Sequence, residues 1–150
     1  MSCLLEKHGR TNTIICVDPW QWEGMNDEDE ILPWICHRDY MLHVRQQWLS
    51  NTVALCKRYP YPVPLKSDAF FKSCWKEPIA FAYIDGDHRY EQAKRDFLNV
   101  DRWLEKGGFI LFDDTGDEIF GCAKLMPEVK ATGRYEMIMQ NPNHLWRRIK

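Results

Sequence analysis

The sequence predicts an α/β fold: a mostly parallel sheet with helices on both faces, a C-terminal antiparallel hairpin, and an incomplete N-terminal part. Three observations carry this expectation. Residues 13–17, 79–84 and 109–112 are short, near-continuously apolar runs, as expected for parallel strands covered on both faces. Each run ends in aspartate, at Asp18, at Asp85 and at the pair Asp113 and Asp114. Between the second and third runs Tyr90, Ala93, Phe97, Val100 and Leu104 recur at alternating spacings of three and four, the period of an amphipathic helix.

The first strand is followed by a helix that the pattern starts at Pro33 and carries to about Asn51, with Met41, Val44 and Trp48 on one face. Residues 58–66 contain Pro60, Pro62 and Pro64, which bar a central strand but suit an extended edge. A short helix over 67–75 leads into the strand at 79–84. The next helix has Asp87 or His88 as N-cap, Glu91 in its first turn and Gly107-Gly108 as its stop. Strand, helix and strand form a right-handed crossover, which brings Asp85 and Asp113 to one edge of the sheet. A helix over 118–129 follows, and residues 135–139 and 145–149 pair across Asn141, Pro142 and Asn143.

At 150 residues, with 45% hydrophobic and 13% aromatic side chains, the chain has the length of one domain, 1–150, and is too apolar for disorder. The net charge of -2, with both signs interspersed, provides neither a basic field for nucleic acid nor a polybasic segment for a membrane. Arg147, Arg148 and Lys150 read as a solvated chain end. The 6 cysteines show no C-x-x-C pair and no zinc spacing. Cys16 sits inside an apolar run, where a reduced thiol behaves as a small hydrophobe. With no leader pattern and no membrane-length apolar stretch, the expected location is the cytoplasm.

The densest chemistry is Ile84-Asp85-Gly86-Asp87-His88 beside Phe112-Asp113-Asp114. Carboxylates at the ends of strands about 5 Å apart can converge on one cation, and Asp85, Asp113 and Asp114 with water suit a hard ion such as magnesium. Asp113 and Asp114 would point to opposite faces of a regular strand, so both serve only if the strand breaks there. His88, on the first turn leaving the site, can take a proton from a substrate hydroxyl as general base, with Asp85 beside it. The plain alternative is that these acids only cap helices and turns.

On residues 81–114 the chain resembles class I S-adenosylmethionine (SAM) dependent methyltransferases of the macrocin O-methyltransferase and cephalosporin hydroxylase-like group. The carriers are "IDGDH" followed by Tyr90 and the L-x-x-GG-x-I-x-x-DD element ending at Asp114. The resemblance implies a Rossmann-like sheet, SAM as cofactor, magnesium held by Asp85, Asp113 and Asp114, and His88 as the base in methylation of a sugar-like hydroxyl. It also implies that Asp18 binds the ribose hydroxyls of SAM, as a strand-end carboxylate can. Ser67 matches a serine near the adenine, although an N-cap is the plainer role. Trp20, Trp22 and Trp34 offer aromatic walls, with packing as the alternative. The acidic run Asp27, Glu28, Asp29 and Glu30 reads as a lid or as a helix N-terminal turn.

The pattern departs from that group at its start. A complete relative opens with a strand and a glycine-rich turn, whereas here Gly9 is the sole glycine among the twelve residues before the first strand, and the stretch before it reads as a helix end. The implied gap lies between the strands ending at Asp18 and Asp85. A fragment, a degenerate relative and a protein completed by a partner all fit, and an open edge invites self-association into a homo-oligomer. The function expected is O-methyl transfer to a small hydroxylated molecule. The alternatives are a truncated or degenerate non-catalytic binding domain and metal-assisted hydrolysis without SAM.

Overall fold

The computed structural model describes residues 13–20, 38–56, 59–117 and 119–150. The expectations on Gly9, Trp22, Trp34, the helix start at Pro33 and the acidic run at 27–30 lie outside them. The chain divides into two compact units, Met1–Phe70 and Phe71–Lys150.

In the first unit β1 (Ile15–Val17) pairs in parallel with β2 (Tyr61–Val63), Cys16 lying opposite Pro62. A proline is tolerated because β2 has a partner on one side only among the described strands. Between them runs α1 (Arg38–Leu55). Its inward positions include Met41, Val44 and Trp48, the face expected from the sequence, and Thr52 is buried. Past β1 the chain turns sharply: Trp20 has φ 46° and donates its backbone N–H to Asp18 Oδ1 at 2.6 Å. The Trp20 indole is buried, 5.6 Å from the Trp48 ring and beneath the Arg45 guanidinium.

From α2 (Ser67–Ser73) the chain enters the second unit, which contains β3 (Ile79–Ile84), α3 (Tyr90–Trp103), β4 (Leu104–Phe112), α4 (Gly121–Ala131), β5 (Tyr135–Met139) and β6 (His144–Arg148). The four strands form one sheet in the order β3-β4-β6-β5, with β3 parallel to β4 and the others antiparallel. Ala82, Ile110 and Trp146 lie side by side across it, as do Ile84, Phe112 and His144. On that face Ala93, Phe97 and Val100 of α3 and Leu125, Met126 and Val129 of α4 complete one apolar core. The other face, with Phe81, Tyr83, Leu111 and Leu145, is half-buried to exposed.

The two ends of α3 differ from expectation. Gly107 and Gly108 lie inside β4 and do not end α3, which stops at Trp103. Gly107 has φ 87°, and the register slips between Ile79 and Phe81. The glycines therefore absorb a bulge and let β4 begin directly from the helix. The N-cap of α3 is Arg89, whose backbone N–H is accepted by Asp87 Oδ1 at 2.9 Å. Asp87 thus closes a turn before the helix. Among the described residues β1 pairs with β2 in the first unit and β3 with β4 in the second.

Candidate active site

Strand register builds the site. Ile84 lies opposite Phe112, and Phe112 opposite His144. One residue further, Asp85, Asp113 and Asn143 therefore form a row across three strands. The Asp113 N–H donates to the Ile84 carbonyl at 3.0 Å and fixes that step. The Asn143 side-chain amide donates to Asp113 Oδ1. The buried Thr115 hydroxyl accepts the His144 N–H at 2.9 Å, which ties the loop after β4 to the hairpin.

The four titratable residues separate into two pairs. Asp85, Asp113 and the Tyr83 hydroxyl stand close enough for each to bear on the protonation of the others. Two carboxyl groups can share a hydrogen bond only if one keeps a proton. Desolvation, and then the hydrogen bond and charge of Asp113, raise the Asp85 pKa above the ordinary carboxylate value. Desolvation opposes charge on Asp113 too, but hydrogen bonds from Tyr83, Asp85, the Asp114 backbone and Asn143 outweigh it and hold its pKa below normal. The Tyr83 pKa is driven upward by desolvation and by the two acids. Asp113 is the settled anion of this pair.

The second pair is His88 and Asp114, with Nε2 3.0 Å from Oδ2. The expected strand break is present: β4 ends at Phe112, and Asp114 has φ 51°. That left-handed residue swings its carboxylate out of the strand alternation and towards His88. The His88 ring meets Phe120 edge-on, with centroids 5.1 Å apart. The His88 carbonyl accepts the Gly121 N–H at 2.6 Å, and a Cβ on Gly121 would stand 2.2 Å from the Tyr90 nitrogen. Only glycine lets α4 start this close to α3. Beneath the acids the buried Cys122 thiol is pushed up to about 12 by desolvation and then by Asp114 and its neighbours, which leaves it protonated and inert.

The expected residues thus fall in separate places. Asp85, His88, Asp113 and Asp114 gather at the ends of β3 and β4. Asp18 is exposed at the end of β1, Trp20 is packed against Trp48, and Ser67 opens α2 in the other unit. Among the described residues no three His, Cys, Asp or Glu side chains are placed to hold a metal ion. Tyr83 and Asn143 were not singled out from sequence. Period-two alternation puts Tyr83 on the face of Asp85 and could have flagged it. Asn143 read only as a turn residue, and its contact depends on long-range register.

Comparison with known proteins places this architecture. A family model described as a methyltransferase domain matches residues 1–115, and the chain belongs to that family. The uncharacterized protein R132 of Acanthamoeba polyphaga mimivirus is 36% identical over 70 residues, covering 45% of this chain and 29% of that protein. The O-methyltransferase NovP superposes with a TM-score of 0.70 at 20% identity, over 98% of this chain and 64% of NovP. Apo CalS11, a TDP-rhamnose 3'-O-methyltransferase, gives 0.59 at 15% identity, over 97% of this chain and 64% of its own. These likenesses establish the α/β methyltransferase fold, and the chain spans under two thirds of each of these proteins' lengths. No described helix is long and apolar enough to cross a membrane.

Proposed function

We infer that this chain carries SAM-dependent O-methyl transfer to a small hydroxylated acceptor of sugar-like character. The observation that carries the reading is the convergence of Asp85, His88, Asp113 and Asp114 at the carboxyl ends of β3 and β4, in a chain of the methyltransferase-domain family. Carboxyl ends of parallel strands are where open α/β sheets place ligands. The sugar character is supported by the CalS11 likeness and by a polar rim of Asp85, Asp113, Tyr83 and Asn143 suited to hydroxyl groups.

SAM supplies an electrophilic sulfonium methyl when bound, and the exposed Asp18 carboxylate suits its ribose hydroxyls. Ser67 and Trp20 are the remaining candidates near the cofactor, Trp20 through the turn it fixes beside Asp18. His88 takes the acceptor's hydroxyl proton as the new carbon–oxygen bond forms and the sulfur–carbon bond opens, its electron pair returning to sulfur. The proton then passes to solvent. Asp113 and Asp85 orient the acceptor, one accepting and one able to donate. Magnesium, which the resemblance implies, would find Asp85 and Asp113 side by side, but Asp114 is turned to His88. Among the described residues the three carboxylates do not form one metal-holding group.

Calorimetry with SAM and transfer of labelled methyl to a panel of nucleoside-diphosphate sugars test this reading. Saturable SAM binding displaced by S-adenosylhomocysteine is expected, with turnover falling about 100-fold in His88→Ala. SAM affinity and turnover both unchanged in Asp85→Ala would remove the site assignment. A second reading is a non-catalytic binding domain. It predicts that the chain binds no SAM.

A further inference from the structure

An unpaired strand edge invites a second copy of a chain to add a strand of its own, and sheets guard such edges with charge, twist or proline. Among the described strands β2 pairs on one side only. Its neighbourhood, Tyr59-Pro60-Tyr61-Pro62-Val63-Pro64-Leu65, carries no charge and alternates proline with aromatic or apolar residues. The ladder to β1 uses one set of these positions. The Tyr61 N–H donates to the Ile14 carbonyl at 2.9 Å, and the Val63 carbonyl accepts the Asp18 N–H at 3.1 Å. Backbone groups of successive strand residues point to opposite edges, so those of residues 60 and 62 face away from β1. Both are proline, which has no N–H to offer. The Leu65 N–H then turns back onto the Val63 carbonyl at 2.9 Å, a tight turn centred on Pro64 whose fixed φ suits it. Pro60 is buried and Pro62 half-buried, while Tyr61 is 63% exposed and keeps this strand at the surface.

We propose that Pro60 and Pro62 close the outer edge of β2 to strand addition, so that a second copy of this chain cannot extend the first unit's sheet there. With ordinary residues at 60 and 62 the stretch would be an uncharged, aromatic edge, a ready template for pairing. A two-fold axis through residue 62 would set that residue opposite itself, with two N–H to carbonyl bonds exchanged across the new pair. Proline leaves the two acceptors and removes both donors. Self-association of the chain, which its sequence led us to expect, is thereby directed to other surfaces. The inference goes beyond the methyl-transfer reading and does not depend on it.

The test is light scattering on the full chain over a concentration series, comparing the wild type with Pro62→Val and Pro62→Ala, and with amide hydrogen exchange read at position 62. Both substitutions restore the outward N–H. Alanine does so with the smaller side chain, which keeps the comparison open where valine disturbs the fold, and circular dichroism checks that each variant is folded. Self-association is expected to be about tenfold tighter than in the wild type, the order of gain from two added backbone hydrogen bonds. The new amide at position 62 should become protected from exchange as the concentration rises. Folded variants whose mass follows the wild type at every concentration would overturn the proposal. So would tighter association that leaves the new amide exchanging freely, because the second copy would then be joined elsewhere.

Discussion

Two acid-centred clusters stand in the second unit and are built on opposite rules. Asp101, near the end of α3, is buried and meets a complete set of donors. The Tyr135 hydroxyl lies 2.5 Å from Oδ1, Arg134 is 2.8 Å from Oδ2, and Arg148 is 3.8 Å from Oδ1 while donating to the Asp101 and Leu104 carbonyls. Asp85 and Asp113 meet each other, a phenol and an amide, with no cation among the partners that set their pKa values. The first arrangement joins α3 to the β5–β6 hairpin. The second leaves like charges together at a strand end, where neutralisation has to come from a proton or a ligand. An acid with cationic partners holds the fold, and an acid without them is available for chemistry.

The largest effect expected from this contrast is at the satisfied acid. Asp101→Ala strips Arg134, Arg148 and Tyr135 of their shared acceptor and should cost about 4 kcal/mol, the range for breaking a buried pair from one side. Urea unfolding measures it, and a loss under about 1 kcal/mol would erase the distinction between the clusters. Gly121→Ala comes next. Its methyl group would collide with the Tyr90 nitrogen at 2.2 Å, and the obstacle is backbone, which has no alternative rotamer. A loss of about 3 kcal/mol is expected, with His88 displaced because its carbonyl accepts from that same residue. Tyr135→Phe is gentler: it removes one buried hydrogen bond from a carboxylate that keeps its arginines and should cost about 1 kcal/mol.

Much of this was legible in the sequence, for physical reasons that differ by region. The strand at 79–84 and the helix from Tyr90 were fixed by local apolar period, and the structure places them within a residue. The gathering of Asp85 and Asp113 followed from crossover handedness. Gly107 and Gly108 misled because a glycine pair serves a helix stop and a strand bulge equally well, and only the pairing of β4 with β3 chooses between them. The Asp101 cluster could not be read, since Arg134, Tyr135 and Arg148 reach it through the hairpin. The approach of Asp114 to His88 could not be read either, because acid spacing does not record the left-handed backbone that turns its side chain out of the strand alternation.

The smallest expected effect tests the other half of the contrast, through its sign. The folded-state pKa of Asp85 lies above its unfolded value, so its contribution is fully present below the unfolded pKa and is lost as pH rises through the folded one. Asp113 runs the other way, with a lowered pKa whose contribution is present above the unfolded value and lost as pH falls through the folded one. Asp85→Asn cannot ionise, yet its amide can still donate to Asp113. The variant and the wild type should therefore match near about pH 3, and the variant should become the more stable as pH rises towards about 7. The gain should be on the order of 0.5 kcal/mol, because Asp85 is exposed and water screens its neighbour. A stabilised variant with impaired methyl transfer would mark Asp85 as kept for chemistry at the expense of the fold. A variant less stable than the wild type at neutral pH would instead place Asp85 with Asp101, as an acid that holds structure.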